Sequence, residues 1–258
     1  MNSFDKLPQI VEHDGIFVVR DDLYPGGTKS RIIEKYFTAC VTQTYAYPAT
    51  AFGAAIVALA HSAVKLNKYV IIFIAKRGRE TFTEFMKEAE SVADGCIEYR
   101  FVDMGFYPNV KRACRNYCEQ NQMEVIYIPP GVDTPWAVNG ISDICKQLIS
   151  IHGQFDTVFS VCGSGTLQRG LQLGGLGREY FAVGTGQKNP NCGRATLIEH
   201  YNIQKFEQKA KLLPPFPTVP NYDGKGWKYC VEYKQKHPDK KILFWNVYAT
   251  ETDRKRIL

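Results

Sequence analysis

The chain has 258 residues, of which 45% are hydrophobic and 22% are charged, and its formal net charge is +6. This composition is that of an ordinary soluble globular protein and excludes a disordered or fibrous chain. The length allows one large domain or two smaller ones, and the positive charge is compatible with an acidic partner without establishing one.

Short apolar runs alternate with helical stretches along almost the whole chain. Most of these runs are apolar on both faces, as buried parallel strands are. The alternation predicts an α/β fold in which mostly parallel, twisted sheets are flanked by helices. The predicted strands are residues 16–20, 69–75, 97–102, 124–128, 157–161, 180–183 and 242–245.

The first predicted strand leads into the stretch VVRDDLYPGGTKSRIIEKY, residues 18–36. After a Pro-Gly-Gly turn, Lys29 falls in the first turn of a predicted helix. A cation is disfavoured there, because a helix N-terminus carries partial positive charge. The position therefore indicates a chemical role for the lysine, and the alternative is a solvated helix residue close to Glu34.

The second informative stretch is FDTVFSVCGSGTLQRGLQLGG, residues 155–175. A predicted strand ends there in Gly163, Ser164, Gly165 and Thr166, and a helix is predicted to follow. In this arrangement the backbone N–H groups and the helix dipole converge on one point, which favours the binding of a phosphate group.

Three other motifs fit this glycine loop less well. A nucleotide P-loop needs Gly-Lys-Ser/Thr at its end, whereas Leu167 follows Thr166. A dinucleotide fingerprint needs GxGxxG, and the third glycine, Gly170, comes too late. A hydrolase elbow needs GxSxG, but Cys162 takes the place of the first glycine. A tight turn that needs glycine for steric reasons alone stays as the structural alternative.

Lys29 and the glycine loop together fit one cofactor, pyridoxal 5'-phosphate. A lysine that forms a Schiff base with the pyridoxal aldehyde must be a neutral amine, and both burial and a helix N-terminus favour the neutral form. The phosphate of the cofactor needs a separate anion site, which the loop offers. The two stretches therefore predict a pyridoxal-phosphate protein.

Several stretches also resemble one enzyme family. RDDLYPGGTKSRIIEKY resembles the RxDL…GGNKxRKLEY segment of the 1-aminocyclopropane-1-carboxylate deaminase and D-cysteine desulfhydrase group, which belongs to the tryptophan-synthase-β-like (fold type II) pyridoxal-phosphate enzymes. Farther along, IPPGVDTPWAVNGISDICKQL resembles PGG…PLGxxGYxxxxxEL, CGSGTLQRGLQLG resembles GSGGTxAGLxxG, and YDGKGWKY resembles YxGKxxxG. The matches follow the family's order and cover most of the chain.

The resemblance implies a two-domain fold type II enzyme. Its large pyridoxal-phosphate-binding domain would comprise residues 1–37 and 128–258, and a smaller inserted α/β domain would comprise residues 38–127. Lys29 would hold the cofactor as a Schiff base and then act as general base. The phosphate would be bound by Gly163, Ser164, Gly165 and Thr166. The resemblance also implies a homodimer.

The sequence departs from the family pattern before the helix that the family places beside the cofactor ring. The family has Ser-Asn-His there, and its asparagine touches the ring hydroxyl, whereas this chain has Gly-Ala-Ala at residues 53–55. Thr50, Tyr45 and Tyr47 are therefore the candidates for that contact.

Two further departures lie nearer the C-terminus. The last strand of the family ends in a threonine that faces the pyridine nitrogen, and in this chain the partner of that nitrogen is either Asn246 or absent. The proline-rich segment LLPPFPTVP replaces a tyrosine-bearing segment of the family, so the substrate pocket is expected to differ. Tyr222 is either a helix-capping residue or a substrate contact.

Three functions are compatible with these residues. The first is a pyridoxal-phosphate-dependent lyase or deaminase that acts on a small amino acid or amino-acid-like group through Lys29. The second is a pyridoxal-phosphate-dependent decarboxylase or lyase that acts on an amino-acid-modified nucleobase in DNA, which the basic segments 76–80 and 253–258 suggest together with Lys111, Arg112 and Arg115. The third is a non-catalytic pyridoxal-phosphate-binding descendant of the fold.

The remaining patterns concern location and metals. The eight cysteines are scattered without a CxxC pair, and the five histidines form no ligand cluster, so no metal site is predicted. The first ten residues lack the features of a secretory signal, and the longest apolar run, AFGAAIVALA, is about half as long as a membrane span. We therefore expect a cytoplasmic protein with reduced thiols and no membrane segment.

Overall fold

The computed structural model describes residues 7–76, 82–103, 105–122, 124–186 and 188–255. Its strands are β1 (Ile10–His13), β2 (Ile16–Arg20), β3 (Thr44–Pro48), β4 (Tyr69–Ala75), β5 (Ile97–Val102), β6 (Val125–Tyr127), β7 (Phe155–Cys162), β8 (Gly177–Gly184), β9 (Thr196–Ile198) and β10 (Ile242–Asn246). Its helices are α1 (Gly27–Ala39), α2 (Ala55–Leu66), α3 (Glu84–Ala93), α4 (Tyr107–Gln120), α5 (Pro135–His152), α6 (Thr166–Leu173), α7 (Asp223–Lys236) and α8 (Glu251–Lys255).

The chain divides into two compact units. Unit 1 comprises Met1–Thr28 and Asp133–Leu258, and unit 2 comprises Lys29–Val132. The boundary between the two units falls within α1, between Thr28, which belongs to unit 1, and Lys29, which belongs to unit 2.

Within the described residues, unit 1 contains a six-stranded sheet in the order β1-β2-β10-β7-β8-β9. The hairpin of β1 and β2 is antiparallel, and the other pairs are parallel. The C-terminal strand β10 lies between β2 and β7, so residues from both ends of the sequence meet in the middle of the sheet. This arrangement confirms the predicted α/β fold with mostly parallel strands.

Helices α6 and α7 cover opposite faces of this sheet. The hydroxyl of Tyr180 on β8 donates to the carbonyl oxygen of Leu171 on α6 at 3.2 Å. On the other face, α7 approaches β7 so closely that a Cβ on Gly226 would lie 2.7 Å from a methyl carbon of Val161. The aromatic ring of Trp227 on α7 then packs edge-on against Phe244 of β10, with ring centroids 5.5 Å apart.

In the described part of unit 2, four parallel strands form a sheet in the order β5-β4-β3-β6. Helix α4 packs one face through Val110 and Cys114, which contact Ala46, Ile71 and Phe73 of the sheet. Both α2 and α4 bury apolar side chains, so unit 2 has a hydrophobic core of its own, formed by this sheet and its helices.

No helix among the described residues is both long enough and apolar enough to cross a membrane. The same residues contain no group of three histidine, cysteine or acidic side chains placed to hold a metal ion. The eight cysteines, all within the described ranges, are free thiols.

Candidate functional site

Four parallel strands of unit 1 end at the same edge of its sheet. The ends of β2, β10, β7 and β8 carry, respectively, the Asp21-Asp22 turn, the segment from Val247, the glycine loop of residues 163–166, and Thr185. In open α/β sheets, ligands bind beside the carboxyl ends of the strands. This edge is therefore the part of unit 1 in which a ligand site is expected.

The predicted glycine loop forms the turn between β7 and α6. Gly165 has a φ of +93°, and a Cβ at this position would collide with the carbonyl oxygen of Asn191. Only glycine meets both demands. The hydroxyl oxygens of Ser164 and Thr166 lie 2.9 Å apart and share a hydrogen bond. Because the first N–H groups of a helix have no acceptor within the helix, the turn presents several donors beside two hydroxyls.

The charge around this loop favours an anion. The first turn of α6 reads Thr-Leu-Gln and carries no charge of its own. One turn farther on, the side chain of Arg169 lies with its Nε 3.5 Å from the carbonyl oxygen of Gly165, and its guanidinium also pairs with Asp133. The helix dipole and this cation act in the same direction, and Asp133 offsets part of the cation's charge.

Tyr222 lies beside the glycine loop. Its hydroxyl donates to the carbonyl oxygen of Val161 at 3.3 Å and lies 3.4 Å from the place where a Cβ on Gly163 would stand. Burial, reinforced by the neighbouring Cys162 and Asp223, raises the pKa of Tyr222 well above its ordinary value. The phenol is therefore a neutral hydrogen-bonding group at the edge of the predicted phosphate site.

Lys225 supports the same region, and it is the first lysine of the motif YDGKGWKY, to which the sequence assigned no role. Its side chain is 1% exposed, and its Nζ donates to the carbonyl oxygens of Lys205 and Phe206 at 2.7 and 3.0 Å. Burial lowers the pKa of Lys225 to about 8, and Glu207 opposes this shift. The lysine fixes a segment whose Phe206 ring meets Tyr222 edge-on, with centroids 6.4 Å apart.

A hydrogen-bonded turn immediately precedes Lys29. The hydroxyl of Thr28 donates to Asp21 at 2.7 Å and accepts from the indole N–H of Trp245 at 2.9 Å. The backbone N–H of Thr28 donates to the carbonyl oxygen of Val247 at 3.0 Å. Lys29 itself is half-buried and is the third residue of α1, as the sequence predicted. Its backbone therefore continues directly from a residue with three hydrogen bonds in unit 1.

Asn246, the candidate partner of the pyridine nitrogen, belongs to a buried network. Its Nδ2 donates to Asp22 and to the carbonyl oxygen of Pro217, both at 2.8 Å, and its Oδ1 accepts from Thr218 at 2.8 Å. Asp22 in turn holds Arg20 through two hydrogen bonds of 2.8 Å. Both amide hydrogens of Asn246 are thus engaged, and a ligand would find only a second lone pair on Oδ1.

The remaining candidates lie in unit 2. Tyr45 is fully buried, with its ring stacked on Phe37 at 4.1 Å and its hydroxyl donating to the carbonyl oxygen of Thr42. The hydroxyl of Tyr47 accepts from the N–H of Gly131 at 3.3 Å, and burial raises the pKa of Tyr47 to about 12. Thr50 is exposed at the start of the turn between β3 and α2.

The basic residues proposed for nucleic-acid contact are only partly described. Residues 77–80 and 256–258 lie outside the described ranges. On α4, the ammonium of Lys111 stands over the ring of Tyr107, and the guanidinium of Arg115 stands over the ring of Tyr127. These two cations therefore already have an aromatic neighbour within unit 2.

No protein-family model matches the sequence, and no curated protein matches it. Several solved structures, however, are similar to the structure of this chain. A homologue of ACC deaminase is 18% identical with a TM-score of 0.75, and the match covers 90% of this chain and 84% of that one. Diaminopropionate ammonia lyase from Escherichia coli is 14% identical with a TM-score of 0.63 (94% and 79% coverage). Threonine deaminase isoform 2 from Solanum lycopersicum is 11% identical with a TM-score of 0.66 (95% and 83% coverage).

At these identities the likeness establishes the fold. The chain has the fold of the fold type II pyridoxal-phosphate enzymes, as the sequence motifs predicted. The roles of Lys29, the glycine loop, Asn246, Thr50, Tyr45, Tyr47 and Tyr222 stay predictions.

Proposed function

We propose that the protein is a pyridoxal-phosphate-dependent lyase or deaminase that acts on an amino acid or an amino-acid-like group. The observation that carries the proposal is the turn between β7 and α6, which combines a left-handed glycine, two hydroxyls and a helix N-terminus in a fold shared with pyridoxal-phosphate enzymes. The solved structures with this fold include deaminases and ammonia lyases by name. Their reaction class supplies the coarse assignment.

The residues of the loop fit the phosphate of the cofactor. A phosphate monoester needs several converging donors and no nearby carboxylate. The loop offers backbone N–H groups and the hydroxyls of Ser164 and Thr166, and the carboxylate of Asp133 is already paired with Arg169. We assign Gly163, Ser164, Gly165 and Thr166 to the phosphate. When bound, pyridoxal phosphate supplies an electron sink for the carbon skeleton of the substrate.

Lys29 is assigned two tasks. Its Nζ would hold the cofactor, and as a free neutral amine it would accept a proton from the substrate carbon. The second task requires that the backbone of Lys29 stays fixed when the amine is released. Thr28, held by Asp21, Trp245 and Val247, provides that fixed point for the chain.

The groups around the pyridine ring distinguish this chain from the family pattern. Asn246 has both amide hydrogens engaged, so it can only accept a hydrogen bond from a protonated ring nitrogen. No side chain at residues 53–55 can donate to the ring hydroxyl, which leaves Thr50 for that contact. The proline-rich segment LLPPFPTVP replaces the tyrosine-bearing segment of the family, so we expect elimination from an amino acid and not the ring opening of aminocyclopropane carboxylate.

The test uses the purified chain with added pyridoxal phosphate. Wild type should become yellow, and borohydride reduction should leave a pyridoxyl group on the peptide that contains Lys29. Lys29→Ala should lose both signals, whereas Lys35→Ala, a change on the same helix α1, should keep them. A pyridoxyl group on other lysines only, or on none, contradicts the proposal.

A spectral screen separates the remaining functions. Addition of free amino acids should change the absorption of the bound cofactor if the substrate is small. A response confined to amino-modified nucleotides would favour the nucleic-acid alternative, for which decarboxylation has no support among the named structural neighbours. A spectrum that no amino compound changes would indicate a non-catalytic binding protein.

A further inference from the structure

Thr185 continues β8 beyond the end of the sheet and lies next to the glycine loop. In the parallel register of β7 and β8, Cys162 is opposite Gly184. The backbone N–H of Thr185 then donates to the carbonyl oxygen of Cys162 at 3.3 Å. Thr185 is therefore the residue of the neighbouring strand that stands beside Gly163, where the loop begins.

The hydroxyl of Thr185 is buried and lacks a partner. The residue is 1% exposed, and its Oγ1 finds no hydrogen-bond partner among the described residues. Burial of a hydroxyl without a partner is unfavourable, since the group loses water and gains nothing in exchange. Buried polar groups that stay unsatisfied in a protein are rare, and a ligand is one of the ordinary reasons for them.

The side chain of Thr185 falls on the face of the sheet that meets Tyr222. Phe181 on β8 packs against Tyr233 of α7, with ring centroids 5.2 Å apart. Because side chains alternate along a strand, Val183 and Thr185 follow Phe181 on this face. Gly163 opens to the same face, because the hydroxyl of Tyr222 stands in front of it.

The missing side chain of Gly163 leaves room at this point. Apart from Gly163 itself and its two chain neighbours, only two described atoms lie within 4 Å of the place where a Cβ would stand, and both belong to Tyr222. Glycines also flank Thr185, and they are closely approached by the rings of Tyr201 and Phe206. The backbone of Thr185 is therefore held by packing on both sides, while at Gly163 no side chain stands between the loop and the hydroxyl of Tyr222.

We propose that the hydroxyl of Thr185 donates a hydrogen bond to the phosphate group held by the glycine loop, so that the anion site extends from β7 onto β8. This proposal rests on the proposed function, in which that anion is the phosphate of pyridoxal phosphate. A χ1 rotation of about 120° moves the hydroxyl of a threonine to another staggered position, so the donor can turn towards an oxygen seated at Gly163. A phosphate monoester suits this donor, because its charged oxygens are strong acceptors.

The experiment measures binding of inorganic phosphate and of pyridoxal phosphate to the full chain by calorimetry. Thr185→Val keeps the shape and removes the hydroxyl, so phosphate should bind about tenfold more weakly, the effect of one charge-assisted hydrogen bond. Thr185→Ser should restore affinity to within about threefold of wild type. Without ligand, Thr185→Val should unfold at a temperature no lower than wild type, because it removes an unsatisfied buried hydroxyl.

Ser142→Ala is the matched control. Ser142 is also buried with an unpartnered hydroxyl, but it lies on α5 and contacts Gly174 just beyond the C-terminal end of α6, away from the loop. Its removal should leave phosphate affinity unchanged. Phosphate binding by Thr185→Val within twofold of wild type, or equal weakening by Ser142→Ala, overturns the proposal. So does a wild type that binds no phosphate.

The two proposals fail in different ways. If phosphate affinity depends on Thr185 but borohydride attaches no pyridoxyl group to Lys29, the anion site stands and the proposed function falls. If Lys29 is labelled while Thr185→Val binds phosphate and cofactor as wild type does, the proposed function stands and the role of Thr185 falls.

Discussion

Two strand-to-helix turns of this chain occupy equivalent places in their own sheets and are built from different residues. The turn from β7 to α6 in unit 1 and the turn from β3 to α2 in unit 2 each leave the carboxyl end of a central parallel strand. The first has a left-handed glycine and two paired hydroxyls. The second reaches its helix through Gly-Ala-Ala, and α2 begins after Ala54, which has no side-chain group that can cap a helix.

This difference shows in which of the two turns the residue pattern of the family has a counterpart in this chain. A turn that binds an anion needs a specific backbone conformation as well as donors. The β7–α6 turn has both, and its geometry supports the phosphate role proposed for it. The β3–α2 turn has neither the left-handed glycine nor a polar side chain at residues 53–55, so Thr50 is the one polar side chain of this turn to which a cofactor contact is proposed.

The largest effect should come from a single methyl group in the first turn. Gly165→Ala places a Cβ against the carbonyl oxygen of Asn191 at a residue whose φ is +93°. We expect a loss of about 2–4 kcal/mol in the free energy of unfolding and a phosphate affinity lowered roughly a hundredfold. Urea denaturation and phosphate titration measure the two quantities.

Gly53→Ala in the second turn is the control for this change. A Cβ there meets the flexible end of the Thr50 side chain at 2.8 Å and no backbone atom closer than 3.5 Å. Gly53→Ala should lower the free energy of unfolding by less than about 1 kcal/mol. Equal losses in the two variants would show that the β7–α6 turn has no special geometric demand.

An intermediate effect should come from the buried amine that supports the first turn. The pKa of Lys225 is lowered to about 8 in the fold, against an ordinary value of 10.5. Between these values the unfolded chain binds the proton more strongly, so the contribution of Lys225 to stability rises as pH increases through this window. Wild type should therefore gain about 1–3 kcal/mol relative to Lys225→Met between pH 7 and pH 10.

The measurement is urea denaturation of both proteins across that pH range, because the difference between them cancels the other titrating groups. If the difference in free energy of unfolding between wild type and Lys225→Met stays constant with pH, the amine of Lys225 keeps its proton throughout this range. If the free energy of unfolding of wild type falls relative to that of Lys225→Met as pH rises, the pKa of Lys225 is raised in the fold and not lowered.

Much of the fold could be predicted because apolar runs are local. The bounds of β2, β4 and β5 match the prediction, since β2 and β4 are largely apolar runs and β5 alternates apolar or aromatic residues with Glu98 and Arg100. The central strand β3 was missed, because its sequence TYAYP ends in a proline, and a proline argues against a central strand. β1 was missed although Asp14 and Gly15 have the positive φ values of a hairpin turn and spell its usual Asp-Gly signal.

The site divides in the same way. The glycine loop and Lys29 lie in contiguous motifs, so the sequence alone could propose them, and Lys225 lies in the motif YDGKGWKY. Thr185 gains its neighbour only through the register of β7 and β8, and the carbonyl groups that Lys225 binds lie some twenty residues away in the sequence. Lys225 is the third residue of α7, and Lys29 is the third residue of α1. The same pattern, a lysine in the first turn of a helix, therefore occurs twice in this chain. Position along a helix therefore does not by itself distinguish Lys225, which binds backbone carbonyl groups, from Lys29, for which a reactive role is proposed.

The smallest effect should come from adding a hydroxyl to the second turn. Ala54→Ser gives α2 a side chain of the kind that caps helices, but residue 54 has helical φ and ψ values of −66° and −4°, whereas capping residues are extended. We expect a gain of no more than about 0.5 kcal/mol in urea denaturation. We also expect no second phosphate site in calorimetry, because the turn lacks the left-handed glycine that directs the N–H groups of the β7–α6 turn. A second site in this variant would mean that donors alone suffice, and the geometric distinction between the two turns would then have no bearing on anion binding.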